Sequence, residues 1–106
     1  MTVVSAQTSN GVHALRIRGE VDLTNATDVK DAIDHLASPD APVIVVDLTE
    51  TAYLDSSGIA MLFHLAERLN ERRQSLRLVV PPNSPLQAAL ALTNLPQTIP
   101  VQPTLE

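Results

Sequence analysis

Apolar and polar positions alternate along the chain with periods that predict its secondary structure. Residues 43–46, Val-Ile-Val-Val, form an unbroken β-branched run, which is typical of a strand buried on both faces, as in a parallel sheet. After Gly58 the apolar residues recur at helical spacing, which predicts an amphipathic helix. Its apolar stripe comprises Ile59, Leu62, Phe63, Ala66 and Leu69. This strand, loop and helix over residues 43–73 are the unit around which we expect the rest of the chain to be arranged.

The segments before and after this unit predict a hairpin and several shorter elements. Asn10-Gly11 is a strong hairpin signal between two strands, because both residues tolerate positive φ. In the second strand Leu15 and Ile17 alternate with arginines, and Val21 and Leu23 keep the same parity. The other predicted elements are a helix capped by Thr24 or Asn25, with Asp28 as a weak capping-box partner, a strand over 76–80, a helix over 86–92 and an edge strand over 99–101.

This order of elements predicts an α/β fold in one domain over residues 1–106. We expect a mixed sheet of four to five strands, with an N-terminal hairpin and a parallel core, covered by three to four helices. Right-handed crossovers place the carboxyl ends of the second and third strands on one rim, so the loops 19–25 and 49–57 should be neighbours. That rim is predicted to gather Glu20, Asp22, Glu50 and Asp55 around Ser56.

Composition narrows the class of partner. With a formal charge of −5 and only two aromatic residues, the chain is a poor nucleic-acid binder. It has no cysteine, which excludes disulfides and thiolate chemistry. We see no signal peptide and no apolar run near the ~20 residues of a membrane span. We therefore expect a cytoplasmic protein that contacts neither membrane nor nucleic acid.

The segment Asp55-Ser56-Ser57-Gly58 is the main candidate for a functional site. The two serines stand where a helix begins, and one interpretation is that they are ordinary caps. The other is that one of them accepts a phosphate, which adds roughly −1.5 to −2 charge at neutral pH and is tolerated at a helix N-terminus. Such a phosphate would repel an acidic rim or an apolar partner docked over it, so the site has the chemistry of a binding switch.

Catalysis fits these residues poorly. His64 is eight residues further along the same helix, a rise of ~12 Å from Ser56, so it cannot serve as that residue's base. Asp47 stands at a strand end like the phosphoacceptor of a receiver domain, but the only lysine is Lys30, in the first helix. No glycine-rich phosphate loop exists. We predict no enzymatic activity, no metal site and no cofactor.

An apolar contact patch beside Ser56 is a further hypothesis. Ile59, Met61, Leu62 and Leu65 occupy most of the helix circumference near its start. A helix in a small domain buries only one stripe, so one of these side chains is expected to stay exposed and to face a partner.

At these residues the chain resembles the STAS domains of bacterial anti-sigma factor antagonists and of sulphate-transporter tails. Gly19-Glu20-Val21-Asp22-Leu23, followed by Asn25-Ala26, is similar to the family's Gly-Glu-Leu-Asp segment. About 30 residues on, Asp47-Leu48-Thr49 and the segment 54–59 resemble its signature strand and phosphorylation loop. The similarity spans nearly the whole chain, and it favours a phosphoacceptor over an ordinary cap.

The resemblance implies a partner-switching protein. When unphosphorylated it would bind an anti-sigma factor that is also a serine kinase of the histidine-kinase-like ATPase fold, and so free a sigma factor for transcription. Phosphorylation at Ser56, or alternatively Ser57, would release it, and a serine phosphatase would reverse the step. The expected partner-binding residues are Glu20, Asp22, Asn25, Asp55, Ser57, Gly58, Ile59 and Met61. The alternative is a constitutive STAS-fold scaffold or accessory subunit of a signalling or lipid-transport assembly.

Overall fold

A computed structural model describes residues 2–9 and 12–105. The strands are β1 (Val3–Ser9), β2 (Val12–Val21), β3 (Val43–Asp47), β4 (Thr51–Leu54), β5 (Ser75–Val79) and β6 (Val101–Gln102), and the helices are α1 (Ala26–Leu36), α2 (Ser56–Glu71), α3 (Leu86–Ala91) and α4 (Leu95–Thr98). The mixed α/β class expected from the sequence is confirmed, with six strands and four helices in the described residues.

The sheet is mixed, and its long second strand, β2, pairs with β1, β3 and β4. The strand order is β1-β2-β3-β5-β6, and β1 pairs antiparallel with β2, as the hairpin prediction requires. The predicted turn itself, Asn10-Gly11, lies outside the described residues. The other pairs are parallel, and β3 lies between β2 and β5. The unbroken β-branched run therefore forms a central strand.

The main core lies between one face of the sheet and the helices. Leu15 and Ile17 of β2 are fully buried there, in line with their alternation with Arg16 and Arg18. Helix α1 contributes Val29 and Ile33 to the same core. From α2 come four buried side chains, Met61, Leu62, Leu65 and Leu69. Burial of aliphatic side chains stabilises a fold by roughly 1.5–3 kcal/mol each, so this stripe fixes the position of α2 on the sheet.

Residues 51–54, which we predicted as loop, form strand β4. Strand β3 pairs with β2 only over Ala14–Arg16, and β4 takes over the same edge at Gly19–Val21. A register shift between Gly19 and Glu20 separates the two pairings, and Gly19 has a φ of 110°, where glycine is favoured. The strand was missed because it is short and exposes its two central residues, so neither periodicity is visible.

Three local predictions are wrong. Leu23 does not continue the buried parity of β2, because the strand ends at Val21 and the chain turns outward. Asn25 occupies the N-cap position of α1 but makes no capping hydrogen bond, so the capping box with Asp28 does not form. The last strand is Val101–Gln102, while Ile99 is a core residue after the short helix α4.

Candidate functional site

The candidate site combines two segments, the loop 22–25 between β2 and α1 and the first turn of α2. Asp55 caps α2: its backbone is extended, and its Oδ1 accepts a hydrogen bond from the backbone N–H of Gly58 at 3.0 Å. Its carbonyl accepts the first helical bond, from the N–H of Ile59. An aspartate at this position satisfies a free N–H group and places a negative charge at the positive end of the helix.

Because Asp55 is the cap, Ser56 and Ser57 are free of that role. They are the first two residues of α2 itself, so the interpretation of both serines as ordinary caps is wrong. Ser56 is exposed and Ser57 is half-buried. Within residues 2–9 and 12–105, no hydrogen bond involves the hydroxyl of Ser56. Ser56 therefore lies at the surface, and its hydroxyl has no hydrogen-bonding role among the described residues.

The second carboxylate oxygen of Asp55 joins the two segments of the site. Oδ2 accepts a hydrogen bond from the backbone N–H of Leu23 at 3.1 Å, and the Asp55 N–H donates to the carbonyl of Val21 at 3.2 Å. The predicted neighbourhood of the loops 19–25 and 49–57 is thereby confirmed. One carboxylate both begins α2 and holds the loop 22–25 against it.

The side chain of Asn25 stabilises the loop 22–25 through hydrogen bonds within the protein. Its Oδ1 accepts from the backbone N–H of Asp22 at 2.9 Å, and its Nδ2 donates to the Glu20 carbonyl at 2.9 Å and to the Thr2 hydroxyl at 3.1 Å. Both amide protons are thus used inside the protein. These bonds show that Asn25 shapes the loop, while its expected contact with a partner stays a prediction.

Asp22 carries a carboxylate that the loop itself stabilises. Its Oδ1 accepts from both the hydroxyl and the backbone N–H of Thr24. The Thr24 hydroxyl, with help from backbone N–H groups, holds the pKa of Asp22 below its ordinary value of 3.8, against a smaller opposing effect of burial. Asp22 is therefore ionised at neutral pH and adds negative charge beside Leu23.

The acidic rim predicted around Ser56 divides into two places. Glu20 is exposed and is paired in register with Tyr53 across β2 and β4. Glu50 precedes β4, whereas Asp55 follows it, and four residues of strand span roughly 13 Å. Glu50 instead accepts hydrogen bonds from Arg16 and Arg18 at 3.3 and 3.2 Å. The prediction that Glu50 lies beside Ser56 is wrong.

Two residues expected at the contact surface are buried. Met61 is 3% exposed and belongs to the main core, because it lies on the stripe of α2 that faces the sheet. Gly58 is also buried, and a Cβ there would lie 3.0 Å from the Val21 carbonyl oxygen and 3.1 Å from a Leu54 methyl. Gly58 allows the start of α2 to approach β2 and β4 closely. Ile59 alone of the apolar candidates stays half-exposed.

The exposed apolar surface of the site comes from two residues that the sequence did not reveal. Leu23 is 80% exposed and follows Asp22 in the loop, and Tyr53 is 50% exposed on β4. The parity of β2 assigned Leu23 to the core, and Tyr53 fell in a segment that we predicted as loop. The only available signal was the rarity of aromatic residues, since Tyr53 is one of two. Ile59, at the start of α2, is the third apolar side chain that remains partly exposed near these segments in sequence.

Two further observations bear on what the site can do. His64 is exposed on α2, eight residues from Ser56, so the structure keeps the two residues on separate turns of the helix. No group of three or more acidic or histidine side chains within the described ranges could hold a metal ion. Among the same residues, no helix is long and apolar enough to cross a membrane.

Comparison with known proteins agrees with this architecture. A family model described as "Mlab, STAS domain" matches residues 4–101. The chain is 31% identical over 68 residues to the anti-sigma-F factor antagonist RsfB of Mycobacterium tuberculosis, a match that covers 64% of this chain and 56% of that protein. It is 32% identical over 62 residues to an anti-sigma-B factor antagonist of Listeria monocytogenes, covering 58% and 54%. The chain thus spans about half the length of the curated relatives it matches.

A solved structure extends the similarity to the whole fold. The crystal structure of an anti-sigma factor antagonist from Mycobacterium paratuberculosis superposes with a TM-score of 0.83 at 26% identity, covering 99% of this chain and 88% of that one. The mixed sheet and its covering helices thus have the α/β fold of a STAS domain. The family match covers most of the chain, and the protein belongs to the STAS domain family.

Proposed function

We propose that this protein is an anti-sigma factor antagonist that is switched by phosphorylation at Ser56. The observation that carries the proposal is the Ser56 hydroxyl: it is exposed, it begins a helix, and Asp55 does the capping in its place. The names of two curated relatives and of one structural neighbour support the functional class. The proposed partner is an anti-sigma factor that is also a serine kinase of the histidine-kinase-like ATPase fold.

The proposed covalent step is a phosphoryl transfer carried out by the partner. The Ser56 oxygen attacks the γ-phosphorus of ATP, the bond between that phosphorus and the bridging oxygen of ADP breaks, and the serine proton passes to a base of the kinase. ATP and Mg²⁺ belong to the kinase, and no catalytic step is assigned to this chain. A serine phosphatase then hydrolyses the phosphoserine with water, which restores the hydroxyl and releases inorganic phosphate.

The charges around Ser56 explain why the modification would release a partner without unfolding the protein. A phosphate of roughly −1.5 to −2 charge at the first residue of α2 lies at the positive end of the helix, which tolerates it. On the outer side, however, it joins the carboxylates of Asp22 and Asp55. A partner whose charges fit the unmodified surface would meet a mismatch, and such mismatches mainly raise the dissociation rate.

The proposed contact surface follows the exposed residues of the site. It consists of the carboxylates of Glu20 and Asp22 with the apolar side chains of Leu23, Tyr53 and Ile59. Apolar side chains at the centre of a contact with charges at its rim are typical of specific protein interfaces. Ser57 is half-buried beside this surface, so it is the less accessible of the two candidate phosphoacceptors.

The test is a phosphorylation and binding experiment with matched serine variants. The wild-type protein, Ser56→Ala and Ser57→Ala are each incubated with ATP, Mg²⁺ and serine kinases of the anti-sigma factor class from the same organism, and the phosphorylated residue is mapped by mass spectrometry. We expect phosphate on Ser56 in the wild type and in Ser57→Ala, and none in Ser56→Ala. Calorimetry should show that Ser56→Ala binds the kinase in the presence of ATP and that Ser56→Asp binds it far more weakly.

Two results would contradict the proposal. Phosphate on Ser57 alone would move the switch by one residue. No phosphate with any such kinase, together with equal binding by Ser56→Asp and wild type, would favour a constitutive scaffold or accessory subunit of a larger assembly. Thermal unfolding of each variant separates a loss of binding from a loss of fold.

A further inference from the structure

The face of the sheet that the helices leave uncovered carries a second apolar cluster. Ala14, Val45 and Val79, from the three central strands, point away from the main core and are nonetheless buried. Among the described residues, no helical side chain belongs to this cluster. Leu105 packs against it, so part of its cover comes from the irregular segment that follows β6.

A groove of about 600 Å³ opens beside this cluster. Val12 and Val43 line it from the starts of β2 and β3, Val45 lines it from the middle of β3, and Leu105 lines it from the segment after β6. Concave sites for small molecules in proteins have volumes of about 300–1,000 Å³ and mostly apolar walls with a few polar groups. The groove therefore has the size and lining of a small-molecule site, and it is distinct from the surface around Ser56.

The charged residues at the groove indicate whether its ligand is an anion or a cation. Arg77 lines it and is exposed, and no ion pair engages this guanidinium among the residues described. No described acidic residue lines the groove, although the chain as a whole carries a charge of −5. Arg77 also borders a neighbouring cleft of about 430 Å³ where Glu67 lies, but the two side chains form no ion pair. Among the described residues, the positive charge of Arg77 is thus unpaired, and it lies beside an apolar wall.

The histidine of the groove is engaged elsewhere. His13 Nε2 lies 3.2 Å from the carbonyl oxygen of Leu36, and because a carbonyl only accepts, Nε2 carries a proton and donates it. This bond fixes the ring against the end of α1. Arg77 is therefore the group best placed to bind an anion in the groove.

We propose that this groove binds a small amphipathic carboxylate, with its hydrocarbon chain along Val43 and Val45 and its carboxylate on Arg77. The planar guanidinium donates two parallel hydrogen bonds to a carboxylate, which a single point charge cannot do. One unpaired guanidinium matches a monoanion in charge, and the valine walls match an unbranched alkyl chain. This site is independent of the proposed phosphoswitch at Ser56, and a small carboxylate would be a second kind of ligand for the protein.

The probe is decanoate below its micellar concentration, followed by amide chemical shifts of the ¹⁵N-labelled full chain. We expect saturable shifts at the starts of β2 and β3 and over residues 103–105, with little change at Ser56. Decan-1-ol, which lacks the charge, should bind at least about tenfold more weakly, because charge-assisted hydrogen bonds are about twice as strong as neutral ones.

Two variants and a matched control decide whether the groove is the site. Arg77→Gln should weaken decanoate binding about tenfold or more, whereas Arg72→Gln, an exposed arginine at the end of α2, should leave it unchanged. Val43→Phe fills the groove and should abolish the shifts. Absence of saturable shifts, equal binding of decanol and decanoate, or equal affinities of the Arg77→Gln and Arg72→Gln variants would each overturn the proposal.

Discussion

The carboxylate of Asp55 accepts a hydrogen bond from the backbone N–H of Leu23, which lies 32 residues earlier in the chain. The same carboxylate caps α2 through the N–H of Gly58. One side chain thus sets both where the helix begins and where the most exposed apolar residue of the site is held. The loop 22–25 and the serine-bearing turn are consequently one structural unit, and a change at Asp55 should disturb both.

Replacing Asp55 by alanine should destabilise the protein by about 1–2 kcal/mol, since it removes a helix cap and a second backbone hydrogen bond. Asp55→Asn should cost less because its amide oxygen can still accept one of the two bonds. The measurement is urea unfolding followed by circular dichroism. Ser56→Ala is the matched control, and it should change the free energy of unfolding by less than about 0.5 kcal/mol because its hydroxyl makes no bond in the described part of the chain. Equal losses for Asp55→Ala and Ser56→Ala would contradict the assignment of the cap.

The loop–helix unit was only partly predictable from the sequence. The run 43–46 and the apolar stripe of α2 depend on near neighbours, so their periods revealed β3, α2 and a cap at the segment 55–58. The exposure of Leu23 and the burial of Met61 depend on where β2 stops and on which side of α2 meets the sheet. The sequence pattern around each residue therefore predicts neither the exposure of Leu23 nor the burial of Met61.

Strand β4 and the pairing of Glu50 show the same limit. Residues 51–54 become a strand because Val21 and its neighbours leave an open edge beyond the end of β3. Thr51 stabilises the start of β4, because its hydroxyl donates a hydrogen bond to the Ile17 carbonyl at 2.7 Å. Glu50 is then placed next to Arg16 and Arg18, which lie more than 30 residues away in sequence. Only the assembled sheet determines which carboxylates share a surface.

The two arginines of β2 should differ sharply in their contribution to stability. Asp47 is 2% exposed at its side chain, and its Oδ2 accepts hydrogen bonds from Nε and Nη2 of Arg16, while its Oδ1 accepts from the backbone N–H of Thr49. Arg16→Ala leaves this buried carboxylate without its cation and should cost about 2–4 kcal/mol. Arg18 is 68% exposed and, among the described residues, pairs with Glu50 alone, so Arg18→Ala should cost at most about 0.5 kcal/mol.

Urea unfolding of the two variants measures this difference directly. Both substitutions remove one arginine from the same strand, so their effects on net charge and strand propensity are matched. Similar losses in the two variants would mean that the buried carboxylate does not depend on Arg16. A double variant that also replaces Asp47 by asparagine should recover part of the loss, because no uncompensated buried charge remains.

The pKa of Asp22 in the folded protein should lie below 3.8, mainly because the Thr24 hydroxyl donates a hydrogen bond to its carboxylate. A depressed pKa in the folded state means that the bonds of this carboxylate add stability above the pKa of the unfolded chain and lose it as the pH falls through the folded value. Carbon-detected titration of the Asp22 carboxylate measures the pKa. Thr24→Val should raise it toward 3.8, whereas Thr24→Ser, which keeps a hydroxyl, should not. An unchanged pKa in Thr24→Val would assign the shift to the backbone N–H groups instead.

Leu23 should be the residue whose loss weakens partner binding most without affecting the fold. It is 80% exposed, it adjoins the ionised Asp22, and its backbone is held in place by Asp55, so little conformational entropy is lost when a partner covers it. If the site is a docking surface as proposed, Leu23→Ala should raise the dissociation constant for the anti-sigma factor by about tenfold, as expected for an interface residue that contributes more than 1 kcal/mol.

Leu92, 89% exposed at the end of α3, is the matched leucine outside the loop and the helix start, and Leu92→Ala should leave the dissociation constant unchanged. Neither substitution should alter the unfolding midpoint, because neither side chain is part of the core. Calorimetric titration of both variants checks the prediction, and a larger effect at Leu92 than at Leu23 would place the docking surface elsewhere on the molecule.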